Sequence, residues 1–479
     1  MNYGMIRYIL GCILNFEAIF LLLPCMVAAV YHETAGYSCL VAVFLCFVLG
    51  RILCIRKPEK RTIYAREGFV IVAFGWMVLS FFGALPFVFS GAIPSLIDAL
   101  FETVSGFTTT GASILSDVES LPKCLLFWRS FTHWIGGMGV LVFVMAVLPL
   151  SGGNSIYLMK AESPGPSVEK LMPKVKGTAF MLYAMYIVIT VIEFLVLVLG
   201  KMPVFDSIVL TFGTAGTGGF AIRSDSIGSY TDFQQIVITV FMILFGVNFN
   251  VYYLLYRKKR RQALKNTEVW VYLLIISSAV LLISVNIRDI YGSVFETVKH
   301  SAFQVASIIT TTGYATVDYE IWPVFSKTIL VVLMFVGACA GSTGGGMKVS
   351  RIIILAKAMG KELDYIIHPH NIRKISMDRK QVEHTTVRSV NVFLVAYCVI
   401  FIGSILILSL ENLDMTTNFT AVAATLNNVG PGLSLVGPAK NFELFSGFSK
   451  LVLIFDMLAG RLELFPILVL FYPRTWSRN

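Results

Sequence analysis

Ten runs of about twenty apolar residues dominate this chain, and each is long enough to cross the hydrocarbon core of a bilayer as a helix. They cover residues 8–30 and 37–53, then 69–90 with 131–150, 178–199 with 235–256, 269–285 with 328 onward, and 390–410 with 451–471. A soluble domain of this length carries about 25% charged residues. This one carries 14%, with 56% hydrophobic residues and a mean hydropathy of +0.78. The chain of 479 residues is therefore read as an all-α polytopic membrane protein.

A net charge of +10 would suit a nucleic-acid binder, but its placement argues against that. The basic residues fall in alternate loops. Arg51, Arg56, Lys57, Lys60, Arg61 and Arg66 form one cluster, and Arg257, Lys258, Lys259, Arg260, Arg261 and Lys265 a second. The third runs from Lys348 and Arg351 through Lys357, Lys361, Arg373 and Lys374 to Arg379 and Lys380. The loops between them are neutral or acidic. This bias predicts that the clusters are cytoplasmic. Ten crossings then put both termini on that same side. The first run carries Glu17 and is too long for a signal peptide's apolar region, so it reads as a retained helix. The eight cysteines show no metal-ligand spacing and sit mostly in apolar runs, where they act as small apolar residues.

Between the paired runs lie four apolar segments too short to cross: residues 96–108, 205–213, 298–310 and 418–426. About ten residues make a helix of about 15 Å, half the hydrocarbon core. Such a segment can enter the membrane and return. Its return strand would leave carbonyls unpaired unless it lined a water-filled path. The alternative is four ordinary outer loops. Each segment ends in a Thr/Gly or Asn/Gly string: Thr108-Thr109-Thr110-Gly111-Ala112, Ala215-Gly216-Thr217-Gly218-Gly219, Thr310-Thr311-Thr312-Gly313-Tyr314 and Asn427-Asn428-Val429-Gly430-Pro431. The glycines recur roughly every hundred residues, which marks a fourfold internal repeat. The implied units are an accessory hairpin at 1–60 and pore repeats at 68–152, 177–258, 268–362 and 386–473. Each repeat is a helix, a re-entrant pore helix, a return strand and a second helix, and the four surround one central pore.

Three further stretches complete the pattern. Phe127-Trp128-Arg129 with Trp134-Ile135-Gly136-Gly137-Met138-Gly139 follows the first short segment, and Lys160-Ala161-Glu162-Ser163-Pro164-Gly165-Pro166 lies in a basic-side loop. With the four strings, and with Leu426 to Gly432, they make the chain similar to the TrkH/KtrB/HKT superfamily of potassium uptake proteins, closest to its Trk-type membrane subunits. The N-terminal hairpin is also similar to the Trk branch.

That resemblance implies potassium uptake across a bacterial inner membrane. By resemblance the ion-binding filter comprises Thr109, Thr110, Gly111, Thr217, Gly218, Thr311, Thr312, Gly313, Asn428, Val429 and Gly430. Gly111, Gly218, Gly313 and Gly430 would be its four glycines. Sodium-favouring members have Ser at the first of these, so Gly111 implies potassium. The resemblance also implies a homodimer with a cytosolic nucleotide-binding regulatory subunit of the TrkA type docked on its inner face. Basic residues 257–265 and 349–388 are its expected contacts, with topology or lipid headgroup binding as their alternative.

Gly337-Ala338-Cys339-Ala340-Gly341-Ser342-Thr343-Gly344-Gly345-Gly346-Met347-Lys348 lacks the Gly-Lys-Ser/Thr of a phosphate loop and follows no strand pattern. So many glycines, at about 1 kcal/mol each relative to Ala, predict a break in the third repeat's second helix. The stretch resembles the family's intramembrane gating loop, with Gly337, Gly341, Gly344, Gly345 and Gly346 as its gate glycines. Arg461 lies near the middle of the last apolar run, where snorkelling to either surface is hard. It matches the family's arginine beneath the filter. Its alternative is a structural pair with Asp456, Glu463 or another buried carboxylate.

Glu102 and Asp206 either attract cations at the outer mouth or support packing, and His133 and His300 are expected near outer ends. No Ser-His-Asp, paired-carboxylate or cofactor pattern stands out, so no enzyme activity is expected, and no cofactor beyond potassium as substrate. The alternative functions are a sodium- or proton-coupled symporter, with Glu17 and Glu463 as membrane carboxylates, or a less selective monovalent cation channel.

Overall fold

A computed structural model of the chain describes residues 1–56, 58, 64–137, 139, 175–370, 374–378 and 380–477. Residues 140–150 of the fourth apolar run, the 160–166 motif, and the basic residues Lys57, Lys60, Arg61, Arg373 and Arg379 lie outside it.

Two long helices, α1 (Tyr3–Tyr31) and α2 (Gly36–Cys54), pair as the N-terminal hairpin. The first repeat follows as α3 (Ala65–Phe89), α4 (Leu96–Phe107) and α5 (Lys123–Gly137). The second is α6 (Val175–Leu199), α7 (Val204–Gly216), α8 (Asp232–Phe245) and α9 (Phe249–Tyr256), with a short α10 (Arg260–Ala263) after it. The third comprises α11 (Thr267–Asn286), α12 (Val294–Ile309), α13 (Val324–Val336) and α14 (Val349–Ile367). The fourth comprises α15 (His384–Leu408), α16 (Met415–Leu426), α17 (Gly447–Arg461) and α18 (Phe465–Phe471). Strand pairing among the described residues is limited to Ser376–Met377 with Lys380–Gln381.

Side-chain exposure runs opposite to that of a soluble protein. The outer helices expose large apolar residues, such as Phe44, Phe47, Leu274, Val395 and Val399, in positions suited to lipid. The short helices α4, α7, α12 and α16 have 12, 13, 16 and 12 residues. They are largely buried among the rest, with hydroxyls, amides and a carboxylate at their core positions. At 1.5 Å per residue, none exceeds about 24 Å.

All four end in the same closure. The amide of Thr109 donates to Gly106 O (3.1 Å) and that of Thr110 to Ser105 O (2.9 Å). Thr217 and Gly218, Thr311 and Thr312, and Asn428 and Val429 repeat the pair of bonds to residues three and five positions back. This is the Schellman pattern, which needs a left-handed residue just past the helix and normally recruits Gly. Here that residue is Thr109 (φ 54°), Thr217 (φ 53°), Thr311 (φ 59°) or Asn428 (φ 55°). A β-branched residue in this region stores about 1–2 kcal/mol. Three repeats carry this strain at the same place, and the fourth puts there Asn428, which enters the left-handed region at lower cost.

Two apolar runs that read as single spans are broken. Residues 235–256 divide at Gly246-Val247-Asn248, where α8 and α9 meet at 88° and the Asn248 side chain accepts from Asn250 N (2.9 Å) to start the new helix. Residues 451–471 divide at Leu462–Leu464. Glu463 (φ 56°) and Leu464 (φ 66°) take left-handed angles, Leu464 N returns to Ala459 O (2.8 Å), and Pro466 opens α18. Arg461 therefore sits at the C-terminal end of α17, where the helix dipole favours a cation, and not in mid-helix. The third repeat is interrupted over Gly337–Lys348.

Candidate functional site: a ring of backbone carbonyls above a glycine loop

The strands that follow the four closures meet one another in cyclic order. A Cβ placed on Gly111 would overlap the carbonyl oxygen of Gly218, and one on Gly219 that of Thr312. One on Gly313 would overlap Val429 O, and one on Gly430 would come within 2.6 Å of Thr110 O. Each repeat's glycine thus lies against the carbonyl of the next repeat, and the fourth returns to the first. The chain closes a ring. These glycines also have φ of 81°, 80°, 86° and 98°, so both conformation and space demand the missing side chain.

The ring corrects one register. The positions equivalent to Gly111, Gly313 and Gly430 are completed in the second repeat by Gly219, not Gly218. Gly218 stands with Thr110, Thr312 and Val429, the residues whose carbonyls receive the glycines. The cause is where α7 stops: Thr217 is its left-handed closing residue, so the conserved geometry places the glycine two residues on. The signal was available, since the quartet Gly216-Thr217-Gly218-Gly219 aligns with Thr108-Thr109-Thr110-Gly111 at its last residue.

The wall behind the ring is stiff and polar. Glu102, on α4, accepts from Arg129 Nε (2.5 Å), Ser113 Oγ (3.0 Å) and Ile114 N (3.0 Å), so its charge serves packing. Arg129 also donates to Ala221 O (2.9 Å) and stacks over Phe220 at 3.6 Å. His133 is not at an outer end. It is fully buried against Gly216 and Gly218, with Nδ1 on Gly106 O (2.8 Å) and Nε2 accepting from Phe220 N (3.2 Å), which fixes its tautomer. Tyr314 reaches across to Leu210 O (3.1 Å) and Phe220 O (3.4 Å). Thr110 and Thr312 hydroxyls pair with those of Thr108 (2.8 Å) and Thr310 (2.7 Å). Asp206 accepts from the Tyr230 hydroxyl (2.9 Å), and His300 Nδ1 meets Thr316 Oγ1 (2.9 Å).

The Gly337–Lys348 loop is pressed against the closing residues of the third and fourth repeats. Gly345 N donates to Thr311 Oγ1 (2.6 Å) and Gly346 N to Asn427 O (3.0 Å). A Cβ on Gly344 would lie 2.9 Å from Thr310 O, and one on Gly345 would lie 2.5 Å from Asn427 O. Gly337, Gly341 and Gly346 take φ near 70°. Arg461 bridges the loop to the first repeat, with Nη1 on Thr343 O (2.9 Å) and Nη2 on Gly136 O (2.6 Å). The two carboxylates nearest to it in sequence have other partners: Glu463 pairs with Arg351, and Asp456 accepts from Ser404 Oγ (2.7 Å).

Two members of this assembly take roles that their place in the sequence did not show, and Lys348, read there as part of a cytoplasmic basic cluster, is corrected to a buried residue of the loop. Lys348 is buried and donates its ammonium back to Gly344 O, adding a second positive charge to the loop. Glu268, buried at the start of α11, accepts from Ala340 N (2.6 Å) and Ser350 N (3.1 Å), one on each side of the glycine run. Among the described residues no group of three or more His, Cys, Asp or Glu could hold a metal ion.

A helical membrane protein with four re-entrant helices closing one ring of uncharged carbonyls belongs to the class of multi-pass membrane transporters, and not to the enzymes. The sequence model of the TrkH family, cation transport protein, matches residues 37–478. The chain is 37% identical over 484 residues to the Trk system potassium uptake protein TrkH of Salmonella typhimurium, covering 99% of this chain and 100% of that protein. It is 33% identical to the Trk system potassium uptake protein TrkG of Escherichia coli, covering 95% of each. The crystal structure of the potassium transporter TrkH from Vibrio parahaemolyticus superposes with a TM-score of 0.90 at 32% identity, covering both chains in full. The chain belongs to the TrkH family of cation transport proteins, as a Trk-type membrane subunit.

Proposed function

We propose that this chain conducts potassium into the cell through the carbonyl ring, as the pore subunit of a Trk uptake system in a bacterial inner membrane, with both termini cytoplasmic. The observation that carries the reading is the cyclic contact of Gly111, Gly219, Gly313 and Gly430 with the carbonyls of Gly218, Thr312, Val429 and Thr110. A ring of backbone oxygens replaces part of an ion's hydration shell without fixing it by a net charge, which suits a monovalent cation that must leave again. The negative ends of four re-entrant helices add to that preference.

The glycine loop is the gate. It sits against the closing residues of the filter, and Arg461 and Lys348 hold it through its own carbonyls while opposing a cation in the path. Movement of the loop requires exchange of the Thr311–Gly345 and Asn427–Gly346 bonds. The subunit works as a homodimer, and a cytosolic nucleotide-binding subunit of the TrkA type docks on the inner face along α14 and the basic residues 349–388.

The test is cation uptake by purified protein in liposomes under separately imposed potassium, sodium and pH gradients. Uptake that follows the potassium gradient alone fits conduction. Uptake that requires a sodium or proton gradient would replace it with coupled symport.

A further inference from the structure

The connection between the second and third repeats is tied to the gate loop at both its ends. At one end, the break between α8 and α9 holds the loop through Cys339 N on Gly246 O (3.1 Å) and Phe249 N on Gly341 O (3.1 Å). At the other, Glu268 accepts from Ala340 N and Ser350 N. Between these attachments lie α9, α10 and their linker, with Arg257, Lys258, Lys259, Arg260, Arg261 and Lys265 all exposed. Residues 249–267 contain no Asp or Glu.

The same stretch is amphipathic in an unusual way. Tyr256 (71% exposed), Leu264 (63%) and Trp270 (57%) stand among these cations, and the Trp270 indole donates to Leu264 O (2.7 Å). An 88° bend at Gly246–Asn248 turns α9 away from the axis of α8, so the basic stretch leaves the line of the apolar helix before it. Aromatic and apolar side chains interleaved with basic ones, at the level where a span ends, fit a headgroup interface better than a protein surface. A protein contact would leave Leu264 and Trp270 in water whenever the partner was absent.

We propose that residues 249–265 bind anionic phospholipid headgroups and that this binding biases the gate. The inference rests on the loop's being the gate. Each basic residue near an anionic surface contributes about fivefold in binding. Headgroup attraction draws Gly246–Phe249 and Glu268 toward the membrane surface, and with them Cys339–Gly341 and Ser350, away from the filter. A bias of about 1 kcal/mol shifts a two-state gate about fivefold.

The experiment compares potassium flux of the purified full chain in phosphatidylcholine vesicles and in vesicles with added phosphatidylglycerol. Faster flux with phosphatidylglycerol, by about fivefold, is expected. The variant Arg257→Gln/Lys258→Gln/Arg260→Gln/Arg261→Gln should lose the difference. A charge-matched control, Arg51→Gln/Arg56→Gln/Arg66→Gln/Arg474→Gln, should keep it, which separates a site from general surface potential. Glu268→Gln should retain bound phosphatidylglycerol, read by lipid analysis of the monodisperse protein, while its flux no longer responds. Equal flux in both vesicles, or loss of the response in the control as well, overturns the inference. So does a response seen only when a cytosolic partner protein is added. Absence of potassium flux in every vesicle would instead refute the conducting function itself.

Discussion

Gly219→Ala is the sharpest perturbation of the carbonyl ring. Gly219 has φ 80°, and its missing side chain leaves space occupied by the Thr312 carbonyl, with Thr312 C at 2.9 Å and Gly313 C at 3.1 Å from where a Cβ would stand. The left-handed angle alone costs an alanine about 1 kcal/mol. Forcing a methyl against packed backbone costs about 1–3 kcal/mol more. A total of about 3 kcal/mol lowers the population of the native ring roughly a hundredfold. Gly218→Ala supplies the contrast, because the three atoms nearest to its Cβ would all belong to the imidazole of His133, a side chain that can be removed. Potassium uptake and potassium-over-sodium preference should therefore collapse in Gly219→Ala, with or without His133→Ala. In Gly218→Ala, the added His133→Ala should restore part of both. Tracer uptake in liposomes reads this out. Flux and preference within twofold of wild type for Gly219→Ala would refute the ring.

Three further outcomes follow from the same geometry. Arg461→Ala removes the bridge from Thr343 O to Gly136 O and should raise potassium flux in proteoliposomes, with Arg461→Lys intermediate because an ammonium lacks the guanidinium fork. Thr311→Val leaves the Gly345 amide without its acceptor, at about 1–3 kcal/mol, and should raise open probability in single-channel or flux recordings without altering ion preference. Glu102→Gln breaks a buried ion pair, which costs about 3–5 kcal/mol, and should lower the melting temperature of detergent-solubilised protein by several degrees while ring selectivity in the folded fraction persists.

The features visible in the sequence were those with a compositional cause. Long apolar runs gave spanning helices such as α1, α2, α3 and α15, and segments of about ten residues gave helices too short to cross. Twelve residues rich in glycine are a poor helix, and the chain is indeed irregular from Gly337 to Lys348. What stayed hidden depends on backbone angles that side-chain identity does not announce. Glu463 and Leu464 adopt left-handed angles inside an apolar run, so the end of α17 at Arg461 could not be read. The 88° turn at Gly246–Asn248 has only one glycine and an asparagine to mark it. Glu268 is a first-turn acid of α11 with no motif around it, and its grip on Ala340 and Ser350 exists only through tertiary approach. The register of the second Thr/Gly loop is ambiguous in the sequence because the adjacent Gly218 and Gly219 offer two alignments, and the length of α7 decides between them.

Cation uptake by the purified protein in liposomes, for wild type and Gly111→Ser, tests the central claim most directly. Gly111 has φ 81° and no room for a side chain against Gly218 O, so a serine must displace the first quarter of the ring. The account predicts that wild type takes up potassium in preference to sodium and that Gly111→Ser loses most of that preference. Unchanged preference in the variant, or no potassium uptake by the wild type, would contradict it.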